Sequence, residues 1–430
     1  MDMVFSRQER KKFQGFAILS TWFGCVSEQL LFSNSFIIIY LTTLGGNESF
    51  SMLSTTLGAL CGIFMTIPCA GLINRIGLRK SYSFSVYSAF TAFLLMAAAP
   101  TIVPEAWAKY LVIGGCLLFN LTTFPYSIAW YPMLDMILAP EERGGFFGKM
   151  RFSYVLINAG IIYLIGKLLG KNPPIYIMQI VIAVAGILAL GRKFCMDKMP
   201  DNPEVRNSKL EISKALNISI RNASLVGFSF YSCFFNCATA STLPLAIIYM
   251  QNALKFTPET IMTATSLYMV GQVCGFGIAG QLMRKIGHRW FQITTHTLFT
   301  FIIGCLAITR SGIPGLVILM TALMWTLGVA ASLFSCLNST EMLASAKPGN
   351  KVMATAFCQT FTNIGSAIGR IGATLVLASG ALAAEWKCFG IPMSCYNFMF
   401  MFYFALIVFF YLMLLLSPSI ISKHDDYYDP

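Results

Sequence analysis

The stretch Ala70-Gly71-Leu72-Ile73-Asn74-Arg75-Ile76-Gly77-Leu78-Arg79-Lys80 is a basic, glycine-containing turn between two apolar runs too long for soluble strands. A second stretch repeats it: Gly280-Gln281-Leu282-Met283-Arg284-Lys285-Ile286-Gly287-His288-Arg289. Each has a small residue, a Leu two positions on, basic residues around a Gly, and another Arg. Gly77 and Gly287 stand 210 positions apart in a chain of 430 residues. If the turns correspond, the chain holds two copies of one unit, and function is expected between them.

The runs on either side of these turns identify the solvent. Hydrophobic residues make up 56% and charged residues 11%, against about 25% charge in an ordinary soluble domain. A bilayer core of about 30 Å takes roughly 20 helical residues, and twelve apolar runs of that size emerge: 13–44, 49–73, 80–99, 107–138, 146–170, 174–194, 223–251, 258–283, 290–309, 313–344, 351–381 and 392–418. Barrel strands would alternate over about ten residues, whereas Ile177 to Leu190 is apolar throughout but for Gln179. The expected fold is an all-α integral membrane protein of twelve helices, in two pseudo-symmetric six-helix bundles. The first run follows Arg7, Arg10, Lys11 and Lys12 with no small-residue cleavage site, which reads as an uncleaved helix and not a signal peptide.

Loop charge then gives orientation. Twelve spans put both termini on one side, and that side collects 23 Lys and Arg against 6 on the other, with Arg370 inside a span. The asymmetry predicts cytoplasmic termini. It also accounts for the net charge of +12 without a nucleic-acid partner. The one long polar stretch divides the chain into bundles at 1–194 and 223–430 with a linker at 195–222, and 209–219 reads as a short surface helix.

The repeat recurs elsewhere. Gly58-Ala-Leu-Cys61-Gly62 matches Gly271-Gln-Val-Cys274-Gly275, Asp135-Met136 before Pro140 matches Glu341-Met342 before Pro348, and Asn158-Ala-Gly160 matches Asn363-Ile-Gly365. Four correspondences in one order, at offsets of 205 to 213, are the mark of an internally repeated transporter.

With Leu72, Arg75, Gly77 and Arg79 in the first turn and Gly280, Leu282, Lys285, Gly287 and Arg289 in the second, the chain resembles the major facilitator superfamily. That family's loop motif is roughly Gly-x-Leu-x-Asp-Arg-x-Gly-Arg-Arg. Pro140-Glu141-Glu142-Arg143-Gly144 resembles its loop after span four. The departures are Ala70 for the first Gly, Asn74 for the Asp, Leu78 for one Arg, and Arg284 where the second copy would carry Asp. The resemblance implies two bundles rocking around a central cavity lined by spans one, four, seven and ten, and a monomer; it names no substrate.

For the hinges, helix C-termini favour nearby cations. The expected cytoplasmic gate pairs Arg75 or Arg79 with Asp135, and Arg284 or Arg289 with Glu341; Asn74, Gly77, Arg143, Lys285 and Gly287 complete it. The alternative is that these charges only set topology.

A charge inside a span costs about 2.5–3.5 kcal/mol on insertion scales and demands a polar reason. Glu28, flanked by Gln29 and Asn34, is the candidate for proton or sodium coupling, against a structural ion pair. Lys167, near Lys171, reads as snorkelling to the interface. Arg370, beside Gly365, Gly369 and Gly372, is suited to binding an anion or to pairing with an acid such as Glu28. Asn120, Tyr126, Trp130, Asn158, Tyr231, Asn236, Trp325, Asn338, Gln359 and Asn363 supply amides and aromatic faces for a sugar-like or organic-anion solute, with multidrug efflux as the rival. Cys388 and Cys395 flank the last outer loop and could form a disulfide in an oxidising compartment.

An enzyme is disfavoured. His288, His296 and His424 cannot form a His-Glu-x-x-His site, and no nucleophile turn or phosphate-binding loop is present. The expected partners are a small solute, a coupling ion and the bilayer, with no cofactor or metal. A sensor that binds without moving solute is the remaining non-transport reading.

Overall fold

A computed structural model of the chain describes residues 5–32, 35–135, 137–138, 140–200, 212–345, 351–380, 382, 385–388 and 391–416, excluding side chains at 70–75, 135, 140–145 and a few other positions. Among the described residues the regular secondary structure is helical apart from one hairpin. Helices α1 (Arg7–Phe32) and α2 (Ser35–Thr43) are followed by α3 (Glu48–Ile76), α4 (Leu78–Ile102), α5 (Glu105–Asp135), α6 (Pro140–Leu169) and α7 (Ile175–Asp197). A short α8 (Ile212–Ile220) precedes α9 (Ala223–Thr239), α10 (Thr242–Asn252), α11 (Pro258–Ile308), α12 (Leu316–Ala344), α13 (Lys351–Ser379) and α14 (Cys395–Leu416).

Among the described residues ten helices are long and apolar enough to cross a bilayer, counting α9 and α10 together as one of them, and the pair formed by α1 and α2, bent by 48°, makes an eleventh. The 51-residue α11 is two helices that meet at a kink at Gly287, which brings the spans to twelve. The chain is thus a multi-pass membrane protein. Span one, expected as a single helix, is bent. A 3.6-residue periodicity continues through a bend, so apolarity alone did not signal it.

The two hinges share one backbone conformation. Gly77, between α3 and α4, has φ 86° and ψ 162°; Gly287 has φ 78° and ψ 164°. This region is open essentially to glycine alone. The repeat visible in the sequence is therefore also a repeat of dihedral angles.

Packing divides the chain into two units, residues 1–209 with 257–266, and residues 210–256 with 267–430. In the first, α1, α4 and α7 pack together and α5 lies against α3 and α4. Ala17, Leu78, Tyr82, Trp130, Met133 and Leu134 form a core beside Gly77. In the second, α9 packs on α13 and α14, and Met283, Phe291, Leu333 and Leu337 form a core around Gly287. Residues 385–394 hold an unanticipated antiparallel hairpin, β1 (Glu385–Cys388) with β2 (Ile391–Ser394), Glu385 opposite Ser394. The side chain of Cys388 lies outside the described residues, so the disulfide expectation finds no test there.

Candidate functional site

Each unit carries a polar cluster among its membrane helices, and the two differ in charge. In the first, Glu28 on α1 meets Arg192 on α7, Oε1 lying 2.6 Å from Nη1, with the side chains 21% and 9% exposed. Arg192 reads in the sequence as a loop charge beside Lys193, but α7 continues to Asp197 and carries the guanidinium into the unit. Gly24, one turn before Glu28, makes the room, because a Cβ there would fall on the guanidinium. The Tyr126 ring of α5 lies beneath it, its centre 4.0 Å from Cζ, and Trp130 stacks on Tyr126. Ion pair and cation-π contact together offset the desolvation of a buried guanidinium. Asn158 of α6 is 1% exposed, beside the Cys25 thiol.

The second cluster is uncharged for two of its three rungs. Ser232 and Asn236 lie one turn apart on α9. Facing them on α13 are Thr362 and Ser366. The hydroxyls of Ser232 and Thr362 are 2.8 Å apart, Ser366 donates to Asn236 Oδ1 at 3.5 Å, and one turn further Arg370 Nε donates to the Ala240 carbonyl at 3.2 Å. Ser232 also reaches Asn338 Oδ1 of α12 at 3.3 Å. The rungs advance by four residues on both helices, so α9 and α13 run in the same direction. They approach closely because Gly365 and Gly369 lie against the backbone carbonyls of Cys233 and Cys237, the small-residue spacing that lets membrane helices touch.

The other candidates are scattered. Asn120 bonds the Cys116 carbonyl of its own helix, Gln359 bonds Asn363 one turn away, Tyr231 faces buried His296, Gln29 is half-buried and Trp325 is 40% exposed. Asn34 lies outside the described residues. Glu28 has Arg192 for its partner, not Arg370, and Arg370 donates to a backbone carbonyl. Lys167 does not simply snorkel; its Nζ lies 2.6 Å from Glu259 Oε1 in a half-exposed pair. Sequence reasoning passed over Ser232, Thr362, Ser366 and Arg192.

At the hinges, Arg79 donates to the Asp197 carbonyl at 2.6 Å, and Asp197 also takes Lys193 and the Tyr82 hydroxyl. The expected partner Asp135, with Asn74, Arg75 and Arg143, lies outside the described side chains. Glu341, 3% exposed, meets His288 Nδ1 at 2.6 Å, while Arg284, Lys285 and Arg289 are exposed. The first copy carries Leu78, buried in its core, at the position equivalent to His288. A hydrophobic contact in one repeat is thus a polar one in the other. His288→Leu should cost about 1–3 kcal/mol by stripping a buried carboxylate of a partner, and His288→Leu/Glu341→Met should recover most of it, as read by thermal unfolding in detergent. Equal losses in the single and double variants would contradict a direct contact.

A model described as Major Facilitator Superfamily matches residues 228–425. No curated protein matches the chain by sequence. Among solved structures, the nucleoside transporter NupG aligns over 96% of this chain and 100% of its own, with TM-score 0.72 and 12% identity. A D-xylose-proton symporter aligns over 96% and 98%, with TM-score 0.72 and 15% identity. A POT family transporter in complex with 5-aminolevulinic acid aligns over 96% and 97%, with TM-score 0.72 and 10% identity. The chain thus shares the fold of these transporters along nearly its whole length, and its residues 228–425 match the Major Facilitator Superfamily model.

Proposed function

We propose that the protein is a secondary active transporter that moves a small polar organic solute by alternating access, coupled to a proton or cation, with both termini in the cytoplasm. The observation that carries this reading is the Glu28–Arg192 pair. An ion pair among membrane helices is costly to keep, and one whose carboxylate stays partly accessible is suited to exchanging a proton. Protonation of Glu28 would release Arg192 onto Tyr126 alone, giving the first unit two electrostatic states. Solute recognition falls to the neutral groups of the second unit: Ser232, Asn236, Asn338, Thr362 and Ser366. Hydroxyls and amides match the donors and acceptors of a sugar-like solute better than a multiply charged one. The fold likeness to a D-xylose-proton symporter and a nucleoside transporter supports a solute of that kind.

Purified protein in proteoliposomes, given a pH gradient and a panel of labelled pentoses, hexoses, nucleosides and sugar acids, tests this directly. Wild type should accumulate one class above equilibrium. Glu28→Gln should exchange that solute without accumulating it. Binding without flux would make the protein a sensor, and accumulation by Glu28→Gln would remove the coupling role.

A further inference from the structure

We infer that Arg370 is a positioning residue: through Nε it holds the backbone carbonyl that Pro244 leaves without a helical donor, and so fixes span seven against α13. Proline has no N–H, so a proline within a helix orphans the carbonyl four residues before it. For Pro244 that carbonyl is Ala240, which lies where α9 ends and α10 begins. Arg370 Nε donates to it at 3.2 Å. Helical hydrogen bonding resumes immediately, with Leu245 N–H on the Ser241 carbonyl. A backbone carbonyl left unpaired at membrane depth costs several kcal/mol, so a fixed donor here stabilises the bend directly.

The first unit meets the same problem with a neutral donor. Pro100 in α4 orphans the Met96 carbonyl, and the Tyr40 hydroxyl of α2 donates to it at 3.0 Å. A hydroxyl therefore suffices to satisfy such a carbonyl, and an arginine adds reach and rigidity. Arg370 spans from α13 to the bend because Gly365 and Gly369 bring the helices together below it. Its rung continues the ladder of Thr362 with Ser232 and Ser366 with Asn236 at the same four-residue step. Arg370 thus sets the register in which those side chains are presented. That last consequence rests on the proposed transport reading; the role at the bend does not.

Proline and arginine are predicted to be coupled. Restoring an N–H at position 244 supplies the Ala240 carbonyl from within the helix and makes the guanidinium dispensable there. Hydrogen–deuterium exchange of detergent-purified, full-length protein, followed on peptides covering residues 238–250, reads this without any solute. Arg370→Met should exchange at least threefold faster in this segment, and Pro244→Ala/Arg370→Met should return to the wild-type rate. Should Arg370→Met fail to accumulate, Pro244→Ala serves as the background, where adding Arg370→Met should leave exchange across residues 238–250 unchanged. Wild-type exchange in Arg370→Met, or no recovery in the double variant, would overturn the assignment. Uptake separates the two readings: recovered exchange with no flux in any variant, wild type included, would reject the transport function and leave the role of Arg370 at the bend intact.

Discussion

Gly365→Ala is expected to lower the thermal unfolding midpoint in detergent by about 10 °C, the shift corresponding to roughly 3–5 kcal/mol in a unit of this size. The added methyl would fall on the carbonyl of Cys233. A long side chain could swing aside, but a helix backbone cannot, so α13 must move away from α9. Overpacking of this kind costs about 1–3 kcal/mol. The same displacement stretches three rungs, Thr362 to Ser232, Ser366 to Asn236 and Arg370 to Ala240, each worth about 0.5–1.5 kcal/mol. Solute binding should fall along with stability, because the rungs are the proposed recognition groups. Gly372, on the same helix, has open space where its Cβ would stand. Gly372→Ala should leave the midpoint within a degree or two, and equal behaviour of the two variants would show that close helix approach is not what Gly365 provides.

The glycines in this ladder were conspicuous in the sequence, whereas the hydroxyls were not, and the reason is energetic. A serine or threonine in a membrane helix can bond the carbonyl one turn back, as Thr362 does with Cys358, so its presence raises no demand for a partner. A charge raises that demand, which is why Glu28 and Arg370 stood out. Their partners did not, because both lie far along the chain: Arg192 is 164 positions from Glu28 and Ala240 is 130 from Arg370. Arg192 was hidden further by its neighbours, since a basic pair beside a polar linker reads as loop. Burial was decided by Gly24 and Tyr126, which only the packed helices bring together. The constant step of four residues in Ser232, Asn236, Ala240 and in Thr362, Ser366, Arg370 was available without coordinates. It would have indicated a shared interface.

The spans and hinges were legible because they depend on local composition, and the hinges permit a sharper test. Gly287→Ala should destabilise the protein by about 1–3 kcal/mol, the usual cost of holding a residue in a sparsely populated backbone region. Gly287 has φ 78° and ψ 164°, and nothing stands within 4 Å of where its Cβ would be. The penalty is therefore conformational and not steric crowding by neighbours. Asn should fare no better than Ala, because its tolerance is for the left-handed helical region with ψ near 50°. Gly77→Ala should reproduce the effect at the first hinge, with φ 86° and ψ 162°. Gly280 is the internal control. It belongs to the same motif and has equally open surroundings, but it sits in regular helix, and the first copy of the motif already carries Ala70 at the corresponding position. Gly280→Ala should be neutral, or stabilising by up to about 1 kcal/mol as glycine leaves a helix interior. Thermal unfolding of the four variants distinguishes the causes: if Gly280→Ala and Gly287→Ala lose stability alike, the motif glycines serve packing or a partner, and the shared hinge conformation has no energetic weight.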